Sequence, residues 1–231
     1  MDIKGNKILV IIPAYNEESS IKSVIVEIRK YLEDAEIIVI DDGSKDNTAE
    51  YAAGEKAIVL RHPFNIGIGA SFQTGCQYAS LHGYDYIVRV DADEQHDPSF
   101  IKDILEPLEE GEADITIGSR FLIKSGYKSS LSRLMGIQLI SFILSIISKN
   151  KVTDSTSGFC AMNKKAFNFF AKECADDYPE PEILIHHKSF KMKEVPVLMK
   201  KRSCGVSSIS FSDSIYYVFK VLFSLFVNIF R

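Results

Sequence analysis

Val88-Arg89-Val90-Asp91-Ala92-Asp93-Glu94-Gln95-His96 carries an apolar strand directly into two carboxylates, with an amide and an imidazole close behind. In an extended segment residues i and i+2 point the same way, so Asp91 and Asp93 converge on one point. Two carboxylates held together repel unless one is protonated or a cation sits between them. Oxygen ligands suit a hard divalent ion, Mg²⁺ or Mn²⁺, and such an ion usually also binds phosphate oxygens. A lone Asp-x-Asp reads more simply as a solvated acidic turn after a strand. The rest of the chain decides between the two readings.

Upstream the chain alternates. Residues 8–12 are a continuous apolar, β-branched run stopped by Pro13, the pattern of a strand buried on both faces of a parallel sheet. Helical periodicity follows over 18–32, through Ile21, Val24, Ile25, Ile28 and Leu32. A second strand is predicted over 37–40, ending at Asp41-Asp42-Gly43-Ser44, after which Asp46-Asn47-Thr48 opens a short helix. Further strands are predicted over 57–60, 86–90 and 113–117, with helices over 67–81 and 98–110 between them. Pro98 falls in the first turn of the latter, where its missing N–H does no harm. This β-α alternation predicts an α/β fold: a twisted, mainly parallel sheet with helices on both faces. Beyond about residue 121 the character changes. Residues 131–148 are apolar but broken by Arg133, Gln138, Ser141 and Ser145. Strands are predicted over 159–162 and 193–199, and helices over 164–171 and 215–230.

Ligands of a parallel α/β sheet bind at the carboxyl ends of its strands. Here three such ends are polar: Pro13-Ala14-Tyr15-Asn16-Glu17, Asp41-Asp42 and Asp91-Ala92-Asp93. Together they suit a ribose, a base edge and a metal-bound diphosphate. Glu17, Asp42 and Asp91 offer acceptors for hydroxyl or ring N–H groups, and Tyr15 a flat apolar face. Asn65-Ile66-Gly67-Ile68-Gly69-Ala70 is not a dinucleotide fingerprint. Phe72 stands where the third glycine is required, and the segment follows the third strand rather than the first. Gly67 and Gly69 read instead as close backbone packing at a helix start.

Five motifs then stand in order: Pro-Ala-Tyr-Asn-Glu at 13–17, Asp-Asp-Gly-Ser-Lys-Asp-Asn-Thr at 41–48, Asn-Ile-Gly-Ile-Gly-Ala at 65–70, Asp-Ala-Asp-Glu-Gln-His-Asp-Pro at 91–98 and Gly-Ser-Arg-Phe at 118–121. With them the chain resembles the family-2 inverting glycosyltransferases of the GT-A fold. Within these it is most similar to the dolichol-phosphate mannose synthases and bacterial polyprenyl-phosphate sugar transferases, over about residues 7–205. The resemblance implies a catalytic domain over 1–210, with a nucleotide-sugar half at about 1–120 and an acceptor half at about 121–210. It also implies an interface helix at about 131–148, ahead of a C-terminal amphipathic helix at 211–231. By position, Pro13, Tyr15, Glu17 and Asp42 would hold the nucleoside. Asp91 and Asp93 would bind metal and diphosphate, with Gln95 a further ligand. Arg120 and Arg133 would face phosphates or acceptor, Asp154 would lie in the segment closing the acceptor side, and Arg202 would bind the donor diphosphate. Cys160 and Ser207-Ser208 depart from the pattern of the branch.

The implied reaction moves a sugar, with inversion, from a GDP-mannose or UDP-glucose type of donor to a polyprenyl phosphate. Mg²⁺ or Mn²⁺ and Arg202 would stabilise the leaving diphosphate. A lipid monophosphate, with a second pKa of about 6, needs positioning rather than a base. A saccharide hydroxyl acceptor, as in surface polysaccharide assembly, would need a carboxylate base, and Glu180 and Glu182 are the candidates. A non-catalytic nucleotide-sugar-binding subunit is the third alternative; intact Asp91, Asp93, Gln95 and Arg202 argue against it. A nucleotidyltransferase would need a Gly-rich basic loop after the first strand, which this chain lacks.

Composition narrows the partners. A net charge of −4 over 231 residues gives no basic field for nucleic acid. Cys76, Cys160, Cys174 and Cys204 form no C-x-x-C, so reduced, mostly buried thiols are expected. His62, His82, His186 and His187 are expected to face solvent or satisfy local hydrogen bonds, with His96 near the metal. The N-terminus has no signal-peptide run before the first strand. The final helix sets Ile215, Val218, Phe219, Leu222, Phe223, Phe226, Val227 and Phe230 against a stripe of Asp213, Tyr217, Lys220, Ser224 and Asn228. With Lys220 mid-length and fewer than the roughly 20 apolar residues of a span, it reads as lying in a membrane interface. A core or oligomer helix is the alternative. The expectation is a peripheral enzyme on the cytoplasmic, inner face of the cell membrane, with a small membrane-protein partner.

Overall fold

Ile8–Ala14 (β1) is buried along its whole length and sits inside a seven-stranded sheet. The computed structural model describes residues 5–123, 138–145, 152–173, 183 and 189–200. Around β1 stand Glu36–Asp41 (β2), Ile58–Arg61 (β3), Tyr86–Arg89 (β4), Ile115–Ser119 (β5), Cys160–Asn163 (β6) and Met192–Pro196 (β7), in the spatial order β3-β2-β1-β4-β6-β5-β7. Pairing is parallel except at β6, which runs antiparallel to both β4 and β5. The sheet is therefore mainly parallel, as the alternation predicts. Its one reversed strand lies where the β-α rhythm ends.

Helices cover both faces. Ile21–Tyr31 (α1), Thr48–Gly54 (α2) and Ile101–Glu109 (α4) lie on one side, and Ile68–His82 (α3), residues 138–145 (α5) and Lys164–Phe170 (α6) on the other. Strand periodicity divides the two cores. Ile8, Val10 and Ile12 join Val24, Ile25, Ile28, Ile104 and Leu105, while Leu9 and Ile11 join Phe72, Cys76, Phe167 and Phe170. Each such aliphatic side chain contributes about 1.5–3 kcal/mol when fully buried. That is why a continuous apolar run marks a strand covered on both faces.

The chain winds outward from β1 through β2 to β3, then returns through α3 to β4 on the other side of β1. The crevice between β1 and β4 is thus the topological switch point, where ligands of open α/β sheets bind. The strand predicted over 193–199 ends at Pro196, which an edge strand tolerates, and the Val197 N–H makes one further bond to the Ser119 carbonyl (3.1 Å). Met199 instead forms an isolated antiparallel bridge with His96. Arg133, Glu180, Glu182, Arg202 and the terminal helix over 211–231 lie outside the described residues.

Candidate active site

The polar residues after β1 and β2 are zipped together. Ser44 Oγ accepts from the Asn16 N–H (2.9 Å), Thr48 Oγ1 from the Glu17 N–H (2.8 Å) and Asn16 Oδ1 from the Lys45 N–H (2.9 Å). Glu17 Oε2 accepts from Ser20 Oγ (2.8 Å) at the start of α1. Pro13 is buried in β1, while Tyr15 is left 43% exposed. Tyr15, Gly43–Lys45 and Arg61–Asn65 together line an open hollow of about 690 Å³, of nucleoside-binding size.

Asp42 lies beneath this hollow rather than on its wall. It is 4% exposed. Oδ1 accepts from the Ile66 N–H (3.0 Å) and lies 2.8 Å from His62 Nδ1, and Oδ2 accepts from the Gly67 N–H (2.9 Å). His62 Nε2 in turn lies 3.0 Å from Thr74 Oγ1 on α3. Asp42 thus pins the 62–67 loop, a task invisible in the sequence because its partners are some two dozen residues away. Buried Asp41 sits next to it, with Arg61 Nε at 3.0 Å from its Oδ2 and the Ser44 N–H donating to Oδ1 at 2.9 Å.

At the end of β4, Asp91 keeps its side chain 28% exposed. Arg89 is almost fully buried beside it, Nε and Nη2 each 3.2 Å from Asp91 Oδ1 and the guanidinium over the Phe72 ring. The Asp91 N–H donates to His96 Nδ1 (2.9 Å), so Nε2, 3.6 Å from Asp91 Oδ2, carries the proton of the neutral ring. His96 is buried and stacks on Phe159 at 4.8 Å. Burial opposes a charge on Asp91, yet Arg89 and His96 hold its carboxyl below the ordinary aspartate range. Burial also pushes His96 below its ordinary value, against the pull of Asp91 and Asp93. Asp93 stands two residues on, half-buried, its Oδ1 accepting from the Gln95 N–H (3.1 Å). Gln95 is half-buried too, and its backbone carbonyl accepts from the Lys200 backbone N–H (2.9 Å). Gly158 closes the wall: a Cβ there would come within 2.7 Å of Asp91 Oδ2 and 2.9 Å of Arg89 Nη2.

Among the described residues no three His, Cys, Asp or Glu side chains form a metal cage. A small hard cation that arrives with a diphosphate needs only one or two carboxylates, the phosphates and water completing its shell. Asp91, held charged, and Asp93, half-buried two residues on, are the carboxylates that fit that kind of shared site.

Arg120 and Asp154 meet, though 34 positions separate them. Arg120 Nε and Nη2 donate to the two oxygens of Asp154, each at 2.6 Å, and Nη2 also to Thr156 Oγ1 at 2.6 Å. Both residues are buried. Glu194 on β7 fixes the same turn, accepting from the Thr153 and Asp154 N–H groups (2.8 and 3.0 Å). Arg89, Glu194 and His62 were not singled out from the sequence for these roles. Only the apolar flanks of Arg89, marking a charged side chain inside a buried strand, hinted at one of them.

On α5, Ile140 and Leu144 are buried, while Leu139 and Phe142 are 48% and 64% exposed; Leu122 and Ile123, past β5, are exposed as well. Among the described residues no helix is long and apolar enough to cross a membrane.

The switch-point crevice thus has an open hollow beside Tyr15 after β1 and β2 and the carboxylates of Asp91 and Asp93 after β4, an arrangement that suits a transferase of the nucleotide-sugar class on the GT-A fold. The chain belongs to glycosyl transferase family 2, which it matches over residues 9–170. It is 33% identical over 212 residues to a UDP-N-acetylglucosamine–dolichyl-phosphate N-acetylglucosaminyltransferase of Methanococcus voltae, covering 82% of this chain and 84% of the relative. It is 26% identical to the polyprenol monophosphomannose synthase of Mycolicibacterium smegmatis, covering 92% and 84%. Its fold matches a crystal structure of glucosyl-3-phosphoglycerate synthase from Mycobacterium tuberculosis in complex with Mn²⁺ and UDP-glucose, with a TM-score of 0.71 at 20% identity over 96% of this chain and 79% of the other. The protein is a glycosyltransferase.

Proposed function

We propose that this glycosyltransferase moves a sugar, with inversion, from a nucleotide-diphosphate donor of the GDP-mannose or UDP-glucose type to a polyprenyl phosphate, working peripherally at the inner face of the cell membrane. The observation that carries this reading is the long match to two relatives named for dolichyl-phosphate and polyprenol acceptors. The exposed Leu139 and Phe142 on α5 support a lipid-facing surface.

The geometry suits each part of the reaction. The hollow beside Tyr15 takes the nucleoside. The rim of Asp91, Asp93 and Gln95 would hold Mg²⁺ or Mn²⁺, which supplies positive charge against the leaving diphosphate. Arg89 keeps the Asp91 carboxylate charged and fixed in direction, and His96 holds the Asp91 backbone. Arg120 does not stand free toward solvent; its bidentate hold on Asp154 sets the floor of the acceptor side. Arg133 and Arg202 are assigned to the phosphates. A lipid phosphate is already largely dianionic near neutral pH, so its oxygen attacks the anomeric carbon without a dedicated base.

The test is transfer by the purified protein with Mg²⁺ or Mn²⁺, screening UDP-glucose, UDP-N-acetylglucosamine and GDP-mannose against undecaprenyl and dolichyl phosphate in detergent or vesicles. A lipid-linked product that needs the metal supports the reading and names the sugar. Donor binding with transfer only to a saccharide would sink it.

A further inference from the structure

Phe64 is 65% exposed on the loop after β3, and a lone exposed aromatic is common enough on any surface. Three features set this one apart. It lines the same hollow as Tyr15, Lys45 and Arg61. Among the described residues neither Phe64 nor Tyr15 stacks on another ring. Its backbone, unlike its side chain, is tightly placed: Asp42 takes hydrogen bonds from Ile66 and Gly67 and engages His62, bracketing Phe64 on both sides. Gly43, at φ +74°, admits the loop, since a Cβ there would lie 2.7 Å from the Phe64 carbonyl carbon.

A rigid loop that presents an unstacked ring to a nucleoside-sized hollow is built to receive a flat partner. We propose that Phe64 stacks on the nucleobase of the donor, sharing with Tyr15 the apolar recognition of the base. This rests on the donor reading given above and adds the residue that grips the base. Stacking is indifferent to base identity because every base has a π-face, so Phe64 contributes affinity while the polar groups around it choose the base. Asp42 then acts on the nucleotide at one remove, by holding the loop that carries the ring.

The experiment is calorimetric titration of the full chain and its Phe64→Ala and Phe64→Tyr variants, in Mn²⁺, with UDP, GDP, ADP and CDP, and with pyrophosphate as a base-free probe. Base–aromatic stacking of the usual strength weakens the best nucleotide about tenfold or more in Phe64→Ala. Phe64→Tyr restores it, and pyrophosphate affinity and thermal midpoint stay unchanged. Equal nucleotide affinity in wild type and Phe64→Ala overturns the stacking role and leaves the donor reading intact. A parallel loss of pyrophosphate binding overturns it too, by showing a loop defect. Wild-type protein that binds none of the four nucleotides removes the donor reading and the stacking role together.

Discussion

The two halves of the edge are assembled by different means. From β1 to β4 the site is written in short runs: a strand, then within five residues the side chains of the site, as in Tyr15 to Glu17, Asp41-Asp42 and Asp91 to Gln95. From β5 onward it is made by pairs far apart in sequence, Arg120 with Asp154 and Thr153 with Glu194, 34 and 41 positions apart. Parallel strands aim their carboxyl ends to one side, so short motifs place the side chains of the first half, which pairs such as Asn16–Ser44 and Glu17–Thr48 then join. The second half reverses one strand, β6, and must fold a turn back to the same edge and clamp it there. One clamp is a buried ion pair and the other a half-buried carboxylate that accepts from a hydroxyl and two backbone N–H groups, which makes that half dependent on them.

The largest expected effect tests that dependence. Asp154→Ala leaves the Arg120 guanidinium buried without its carboxylate and is expected to cost about 3–5 kcal/mol, read as a lowered midpoint in urea. An Arg120→Met, Asp154→Leu double variant recovers most of it. A loss below about 1 kcal/mol for Asp154→Ala would break the comparison, by showing that the turn stands without its clamp. In the first half the matching change should strike chemistry instead of stability. Asp93→Asn is expected to lower kcat on the order of 10²–10³-fold with an unchanged urea midpoint, and a variant that unfolds early would contradict this division.

This contrast also explains what the sequence made legible. The inner strands announced themselves through apolar runs, because burial on both faces leaves no room for polar interruption, whereas the edge strand β7, Met192-Lys193-Glu194-Val195-Pro196, is polar at two of five positions and ends three residues before its predicted limit. Tyr15, Glu17, Asp42, Asp91 and Asp93 could be grouped because each follows a strand end, while Pro13, inside β1, and Gln95 entered only through the family resemblance. The reversal of β6 could not be read, since an apolar run carries no direction. Nor could the Arg120–Asp154 pair, or the burial of Asp42 under its loop, since each joins segments with no shared local signal.

Smaller effects sharpen the boundary between the halves, where Gly158 of the second touches Asp91 and Arg89 of the first. Gly158→Ala forces a methyl group into that contact. It is expected to cost about 1–3 kcal/mol and to lower activity further than stability alone explains, because the displaced group is the Asp91 carboxylate. Activity loss that merely tracks the unfolded fraction would show that the contact is packing and nothing more.

The smallest effect is a pH dependence shared by both halves. Desolvation opposes the charge on Asp114, yet hydrogen bonds from the Lys191 N–H, Asn163 and Lys165 hold its pKa below the ordinary value. Asp46 is lowered likewise, against desolvation, by Thr48 and the Glu18 N–H. A carboxyl lowered in the folded state adds stability that is present above the unfolded value near 4 and is lost as pH falls through the folded one. Asp114→Asn should therefore cost about 1 kcal/mol at neutral pH, with the gap to wild type closing as the pH is taken below 4. A gap that is constant with pH would remove the charge from the explanation.

The most direct test follows both products of one turnover: the nucleoside diphosphate released and the sugar on the polyprenyl phosphate, in wild type and Asp93→Asn, with and without Mn²⁺. The two products should appear in equal amounts, only with the metal, and fall together in the variant. Nucleotide release without a lipid-linked sugar, or lipid transfer that survives both chelation and Asp93→Asn, would contradict the assignment of this edge to metal-assisted sugar transfer.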